Sequence, residues 1–311
     1  MLRDKDVSPM DELFQRYASY QMVLLERQNG LKGNGNKSYL GNKTRTFLAK
    51  DSFSVLAREA VLGELDDLSS FLERADRLED YSKRIDNLLL ALSLSPYKSY
   101  RNVLTTYFMR NKRILKDKDD EGFFSLLDRL AACIAGFSVM NLNQQQASKS
   151  LYDEMRKIEF GADGDFSEVK FSHKELEAAY FDKDFTKTRP VAKYLMTWRA
   201  LIYPEKSPKL AKGMRLEYLV AVPKNAGQKV ESAYKRLGNT VLVNESFVIR
   251  NSQSCSNFVQ RKKLFCKAGT YVELMELLQA KDFTAQDIDR RDRAILKEVT
   301  DGLKDRGMLR P

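Results

Sequence analysis

Pro204 and Pro208 separate two textures in this sequence. Before them, apolar residues recur at three- and four-residue spacing, which places them on one face of successive helices. After them come short β-branched runs bounded by Gly and Asn, which read as strands. A chain with this order folds mainly as α-helix, with a small strand-containing insert and helices at its C-terminal end. Residues 1–28 read as an N-terminal helix, in which Ser8-Pro9 supplies the cap and first-turn proline. Leu13, Tyr17, Tyr20 and Leu24 form its apolar stripe. Residues 29–50, with "NGLKGNGNKSYLGNK", read as a flexible linker. Residues 51–205 read as a helical domain, one long helical region being punctuated by Pro96. The charged turn "DKDDEG" follows, then an apolar core helix over 123–140 and a polar break at "NLNQQQASKS". Ser172 and Glu175 make a capping box for the helix carrying His173, the single histidine. At that place His173 reads as ordinary surface. Pro190 opens the helix "RPVAKYLMTWRALIY".

In residues 206–311, "MRLEYLVAVP" and "NTVLVNESFVI" read as two strands, and "SNFVQRKKLFCKAG" as a short helix between Ser256 and Gly269. Helices over "TYVELMELLQA" and "TAQDIDRRDRAILKEVTDGLK" close the chain, the second capped by Thr284. Gly238-Asn239 reads as the turn that delivers the second strand, since both residues tolerate positive φ.

Charge singles out the same region. The chain carries a net +10. Residues 201–270 hold 13 Lys/Arg against 4 Asp/Glu, so nearly all of the excess lies in one block. That is the electrostatic footprint of a polyanion binder. DNA is the expected partner, with RNA or an acidic protein left open. The run 122–140 contains Asp128 and Arg129 near its middle and reads as a buried helix, so no membrane partner is expected. The N-terminus has no apolar stretch of the secretory kind. Cys133, Cys255 and Cys266 show no zinc or redox spacing, as expected of reduced thiols in a cytoplasmic protein.

Strand, loop, strand and helix in a basic patch is the layout of the ββα-metal nucleases. Such a site needs a divalent cation, a base for water, an Asn to orient that base, and cations for phosphates. The runs "RLEYLVAVP", "RLGNTVLVNESFVIRN", "SNFVQRKKLF" and "FTAQDIDRRDRAIL" together resemble the C-terminal HNH-type domain of the GmrSD modification-dependent restriction endonucleases. The preceding helical region, particularly "RPVAKYLMTWRAL", resembles their linker region. The resemblance implies metal ligation by Glu217 and Asn257, with Mg or Mn as the cation if the protein is active. It implies catalytic places for Tyr218 and Asn239, support from Asn251, and nucleic-acid contacts by Arg236, Arg261, Lys262 and Lys263. Gly238, Phe258, Phe265, Ile288, Arg291 and Ile295 fall at the remaining family positions. Two departures shape the expectation. Tyr218 stands where the family has its general-base His, and a phenol with pKa near 10 is a poor base at neutral pH. The family's sulfiredoxin-like nucleotide-binding half, with its Asp-Gly-Gln-Gln-Arg type motif, is not found in this sequence, which leaves a separate subunit, a truncated relative or a family offshoot as the readings, with a sulfiredoxin-like nucleotide-binding subunit as a candidate partner. The resulting expectation is a DNA-binding, catalytically degenerate relative of phage-defence restriction systems. An active metal-dependent DNA endonuclease is the alternative.

Overall fold

The computed structural model describes residues 9–28, 56–221, 232–243, 258–265 and 271–311. The protein is mainly helical, with one small antiparallel sheet of two strands. In chain order the helices are α1 (Pro9–Gln28), α2 (Val61–Arg77), α3 (Lys83–Ser93), α4 (Tyr100–Arg110), α5 (Glu121–Met140), α6 (Gln144–Glu159), α7 (His173–Asp182) and α8 (Arg189–Ile202). Strands β1 (Arg215–Tyr218) and β2 (Thr240–Val243) follow, and then α9 (Phe258–Phe265), α10 (Val272–Gln279) and α11 (Ala285–Asp305). The chain resolves into two compact units. One comprises Met1–Leu89, Tyr97–Leu130 and Leu142–Phe166; the other comprises Leu90–Pro96, Ala131–Asn141 and Ser167–Pro311. This division does not fall at residue 205, because α7 and α8 belong to the same unit as the strands.

The first unit is built on aromatic packing. Phe71 and Phe108 stack at 4.5 Å, and Phe123 meets Phe71, Tyr81 and Tyr107. On α1, Tyr17 is fully buried; its hydroxyl donates to Glu64 and accepts from Arg58. The single long helical region expected after residue 51 is interrupted. Helix α2 ends on Leu78, which adopts the left-handed conformation at φ 61°, a stop that no Gly or Pro announces. The polar break expected at 141–150 is instead the start of α6. Asn143 and Gln146 form a reciprocal capping box there. One face of α6 is buried, through Ala147, Leu151, Met155 and Ile158 together with Ser148, Glu154 and Glu159. Helix α5 lies where a core helix was expected, with Asp120 accepting from the Phe123 N–H at its start. It is long and apolar enough to cross a membrane by length and composition, and most of it is buried in the protein.

In the second unit, Trp198, Tyr180 and Tyr194 are fully buried, the last donating its hydroxyl to the Ala131 carbonyl. Gly302 of α11 lies against Trp198 and Ile202, where a β-carbon would collide with both side chains. Thr284 caps α11 through a reciprocal box with Asp287. Ser172 accepts from the Glu175 N–H at the start of α7. His173 is exposed. After α11 the chain turns back so that Phe171 N–H donates to the Met308 carbonyl and Arg310 N–H to the Phe171 carbonyl. A separate apolar cluster joins Leu219, Val241 and Val243 to Phe258 and Phe265 of α9, Leu274 and Leu278 of α10, Phe283, and Ile288 of α11. The strands are shorter than the sequence runs predict, β1 ending at Tyr218. The continuation expected beyond Val243, Ser256 and Gly269 lie outside the described residues.

Candidate functional site

Two strands of four residues cannot stand by themselves in water. The register shows what supports them. Arg215 pairs with Val243, Leu216 with Leu242, Glu217 with Val241, and Tyr218 with Thr240. Leu219 N–H donates to the Asn239 carbonyl, in the same register. Odd-numbered residues therefore turn their backbone groups inward between the strands. Leu216, Tyr218, Thr240 and Leu242 turn theirs to the two outer edges. All four outer carbonyls accept from side chains. Arg189 donates to Leu216 O at 3.0 Å and Arg261 to Tyr218 O at 2.6 Å. Arg291 donates to Thr240 O at 2.6 Å and Tyr271 to Leu242 O at 3.0 Å. Four side chains from α8, α9, α11 and the residue before α10 thus occupy the places that neighbouring strands would take.

The entry to β2 is equally determined. Leu237–Asn239 form a 3₁₀ turn, and the positive φ expected at Gly238-Asn239 is absent there. Glycine is required at 238 for another reason. A β-carbon there would fall well inside van der Waals contact of the Ile288 carbonyl and the Asp292 N–H of α11. Asn239 is fully buried. Its Oδ1 accepts from Val220 N–H at 2.9 Å, and its Nδ2 donates to Val220 O at 2.8 Å and Tyr234 O at 2.9 Å. One side chain thereby ties the chain leaving β1 to the turn entering β2.

Helix α11 holds this turn through charges. Arg291 donates to Gly238 O as well as Thr240 O, and it pairs with Glu273 of α10 at 2.9 Å. Glu273 also pairs with Arg199 of α8 at 2.7 Å, and Arg199 reaches Glu298 of α11. Burial pushes the Glu273 carboxyl upward, but Arg291 and Arg199 outweigh it and hold it below its ordinary range. Beside this network, Asp292 is fully buried and accepts from the Tyr180 hydroxyl at 2.8 Å and from Gly238 N–H at 2.9 Å. Arg291 was singled out in the sequence only as a position in the resemblance. Arg189, Arg199, Glu273 and Asp292 carried no signal beyond their charge.

The predicted site residues divide into three groups. Asn251 and Asn257 lie outside the described residues. Arg261, expected at a phosphate, is instead a buried brace, and Arg236, expected there too, is a partly exposed ion-pair partner. Arg261 is 4% exposed and is committed to the edge of β1. Arg236 pairs with Asp289 at 3.0 Å and lies over the Phe181 ring. Asn239 is likewise corrected: its amide is spent on backbone groups, so it does not orient the Tyr218 side chain. Lys262 donates to the Ala280 carbonyl, and Lys263 is exposed.

Glu217 and Tyr218 remain at the end of β1, both half-buried. By strand alternation Glu217 shares a face with Leu219, Val241 and Val243, the face packed against α9. Burial raises its carboxyl above the ordinary value, against the pull of Arg189, Arg261 and Arg215. Tyr218 lies on the opposite face, its ring 5.7 Å from the Arg189 guanidinium carbon. Its hydroxyl is buried without a hydrogen-bond partner, and burial pushes its pKa up. A phenol that holds its proton more firmly than in water does not take one from water at neutral pH. Among the described residues, no group of three or more His, Cys, Asp or Glu stands together as a metal would require. The charged groups that act on Glu217 are Arg189, Arg261 and Arg215, and Asn257, the second ligand implied by the resemblance, lies outside the described residues.

Asp292 gives a measurable signature of the turn. Burial pushes its carboxyl up to about 6, against Gly238 N–H, the Tyr180 hydroxyl, Arg236 and Arg291. Its folded-state pKa lies above the unfolded value near 3.8, so the folded protein holds that proton more tightly. The resulting contribution is fully present below pH ~4 and is lost as pH rises through about 6, amounting to roughly 3 kcal/mol. Asp292→Asn removes this titration. Its stability relative to wild type should therefore rise between pH 4.5 and 7.5, measured by urea unfolding at both pH values. A difference independent of pH would contradict the raised carboxyl.

In comparison with known proteins, no family model, curated protein or solved structure matches this chain.

Proposed function

We propose that this chain is a DNA-binding, HNH-nuclease-like protein, related to the GmrSD modification-dependent restriction systems, that no longer hydrolyses its target. The observation that carries this reading is the end of β1. The reading is supported by a strand pair locked by Asn239 and packed with the short helix α9, with Glu217 and Tyr218, to which the sequence resemblance gives the parts of metal ligand and base, at the end of β1. Tyr218 is a buried phenol with a raised pKa. Glu217 is surrounded by guanidinium groups, an electrostatic setting that favours phosphate over a divalent cation. Lys209, Lys212, Arg215 and Lys263, from the same sequence block, are exposed and add positive charge at the surface. A separate sulfiredoxin-like nucleotide-binding subunit is the proposed protein partner in such a system.

The test combines binding and cleavage. Purified protein should bind duplex DNA with affinity that falls steeply with salt, because phosphate contacts release counterions. It should leave supercoiled plasmid intact in Mg or Mn, on plain and on modified-cytosine DNA. Cleavage by the wild type that vanishes in Glu217→Ala would replace this reading with the active endonuclease. Cleavage that arises only in Tyr218→His would show that the base alone is missing.

A further inference from the structure

We propose that Arg236 is a two-position side chain that stays with Asp289 while Asp292 is protonated and crosses to Asp292 when that carboxyl ionises, so that the turn before β2 contains a pH-governed switch. The inference is independent of the DNA-binding reading.

The geometry begins with one guanidinium between two carboxylates of α11. Arg236 Nη1 lies 3.0 Å from Asp289 Oδ1 and 3.8 Å from Asp292 Oδ2. The two acceptors differ in kind. Asp289 is partly exposed and is also paired with Arg293 at 3.0 Å. Asp292 is fully buried. Its Oδ1 accepts from the Tyr180 hydroxyl and from Gly238 N–H, whereas its Oδ2 is buried without a hydrogen-bond partner. A proton on Asp292 belongs on Oδ2, because Oδ1 already accepts twice. Protonated in this way, Oδ2 has no charge to draw a guanidinium. Once ionised, it is a buried anionic atom with no hydrogen bond, which is costly. Closing the gap from 3.8 Å to about 2.8 Å gives it a charge-assisted bond from Arg236. Asp289 is not stranded by the exchange, because Arg293 remains on it. The Phe181 ring, which lies under both guanidinium groups at 5.1 and 5.2 Å, also keeps Arg293.

The other charged groups around Asp292 are committed elsewhere. Arg291 is held by Glu273 and by the Gly238 and Thr240 carbonyls. Arg199, which acts on Tyr180, is held by Glu273 and Glu298. Glu177 acts on Arg293 rather than on Asp292. Burial pushes the Tyr180 hydroxyl well up, so it keeps its proton, and Glu273 lies below its ordinary range, so it stays ionised. Asp292, pushed up to about 6 by burial, is the group that changes charge near neutrality. Stability linked to its proton is lost as pH rises through about 6, and the crossing of Arg236 offsets part of that loss.

The experiment uses double-mutant cycles on the full chain, read by urea unfolding at pH 5 and pH 7.5. One cycle combines Arg236→Gln with Asp289→Asn, the other Arg236→Gln with Asp292→Asn. Coupling of Arg236 to Asp289 should be worth about two- to fivefold in the folding equilibrium at pH 5 and close to nothing at pH 7.5. Coupling to Asp292 should do the reverse, rising to about fivefold or more at pH 7.5. In the folded wild type, the nitrogen-15 resonance of the Arg236 Nε–H, identified by its loss in Arg236→Gln, should move with a midpoint between 3.8 and about 6. That movement should vanish in Asp292→Asn. Coupling to Asp289 that is equal at the two pH values overturns the switch, even if coupling to Asp292 rises. So does a resonance that stays still, or one that titrates unchanged in Asp292→Asn.

Discussion

Glu273→Ala is expected to destabilise the protein by about 3–5 kcal/mol, the largest effect of any single truncation considered for this fold. Glu273 is the common partner of two guanidinium groups that are almost entirely out of solvent, Arg199 and Arg291. Removing the carboxylate leaves both cations buried. Arg199 keeps Glu298. Arg291 keeps only carbonyls, those of Gly238 and Thr240. An uncompensated guanidinium draws water inward or leaves its site, and either movement releases the outer edge of β2. The effect should be read by urea unfolding at pH 7 together with near-ultraviolet circular dichroism. Glu273→Gln should recover part of the loss, since it can still accept hydrogen bonds but carries no charge. A cost below about 1 kcal/mol for the alanine variant would mean that the pair sits in a more solvated setting than its burial indicates.

Asn239→Ala should cost on the order of 3–4 kcal/mol. The amide makes three hydrogen bonds to backbone groups, and each buried group left without a partner carries a penalty of about 1–3 kcal/mol, part of which relaxation recovers. The discriminating variant is Asn239→Asp. Aspartate can still accept from Val220 N–H, but it cannot donate to Val220 O or Tyr234 O, and it places a charge at a fully buried position. It should therefore be no better tolerated than alanine at neutral pH. If Asn239 were a catalytic side chain with no structural part, both variants would keep wild-type unfolding midpoints. The amount of native sheet surviving in each can be read from amide exchange of Leu219, whose N–H donates to the Asn239 backbone carbonyl.

The two predictions show why the candidate site was only partly legible. The helices of the second unit follow from short-range signals: Pro190 in the first turn, Thr284 with Asp287, and the apolar spacing of Ile288, Ile295 and Val299. The β-branched run at 241–243 and the glycine before it announce a turn and a strand. What they do not announce is how that turn is built. Gly238 reads as a residue chosen for positive φ, yet it is there because α11 passes too close for a β-carbon. Asn239 reads as a turn residue or a catalytic amide, yet it is a clasp between two backbone segments.

The same limit applies to charge. A block of 70 positions holding 13 basic against 4 acidic residues points to a polyanion partner. It does not tell a cation facing solvent from one facing a carbonyl. Arg261 belongs to the second kind, Arg236 is paired with the Asp289 carboxylate, and Arg189, from outside the block, reaches the strand it braces across 27 positions of sequence. By itself, then, the sequence determined the helical class, the presence of two short strands late in the chain, most helix starts, and the positive character of that region. These depend on neighbours a few residues apart, whose spacing and capping chemistry are fixed before the chain folds. Only the tertiary structure decided which arginines cap the sheet, why glycine stands at 238, and which carboxylates lie among cations. Those outcomes depend on groups tens of residues apart meeting in a medium from which water has been removed. There an unpaired carbonyl or guanidinium is costly, and any side chain able to satisfy it is held in place.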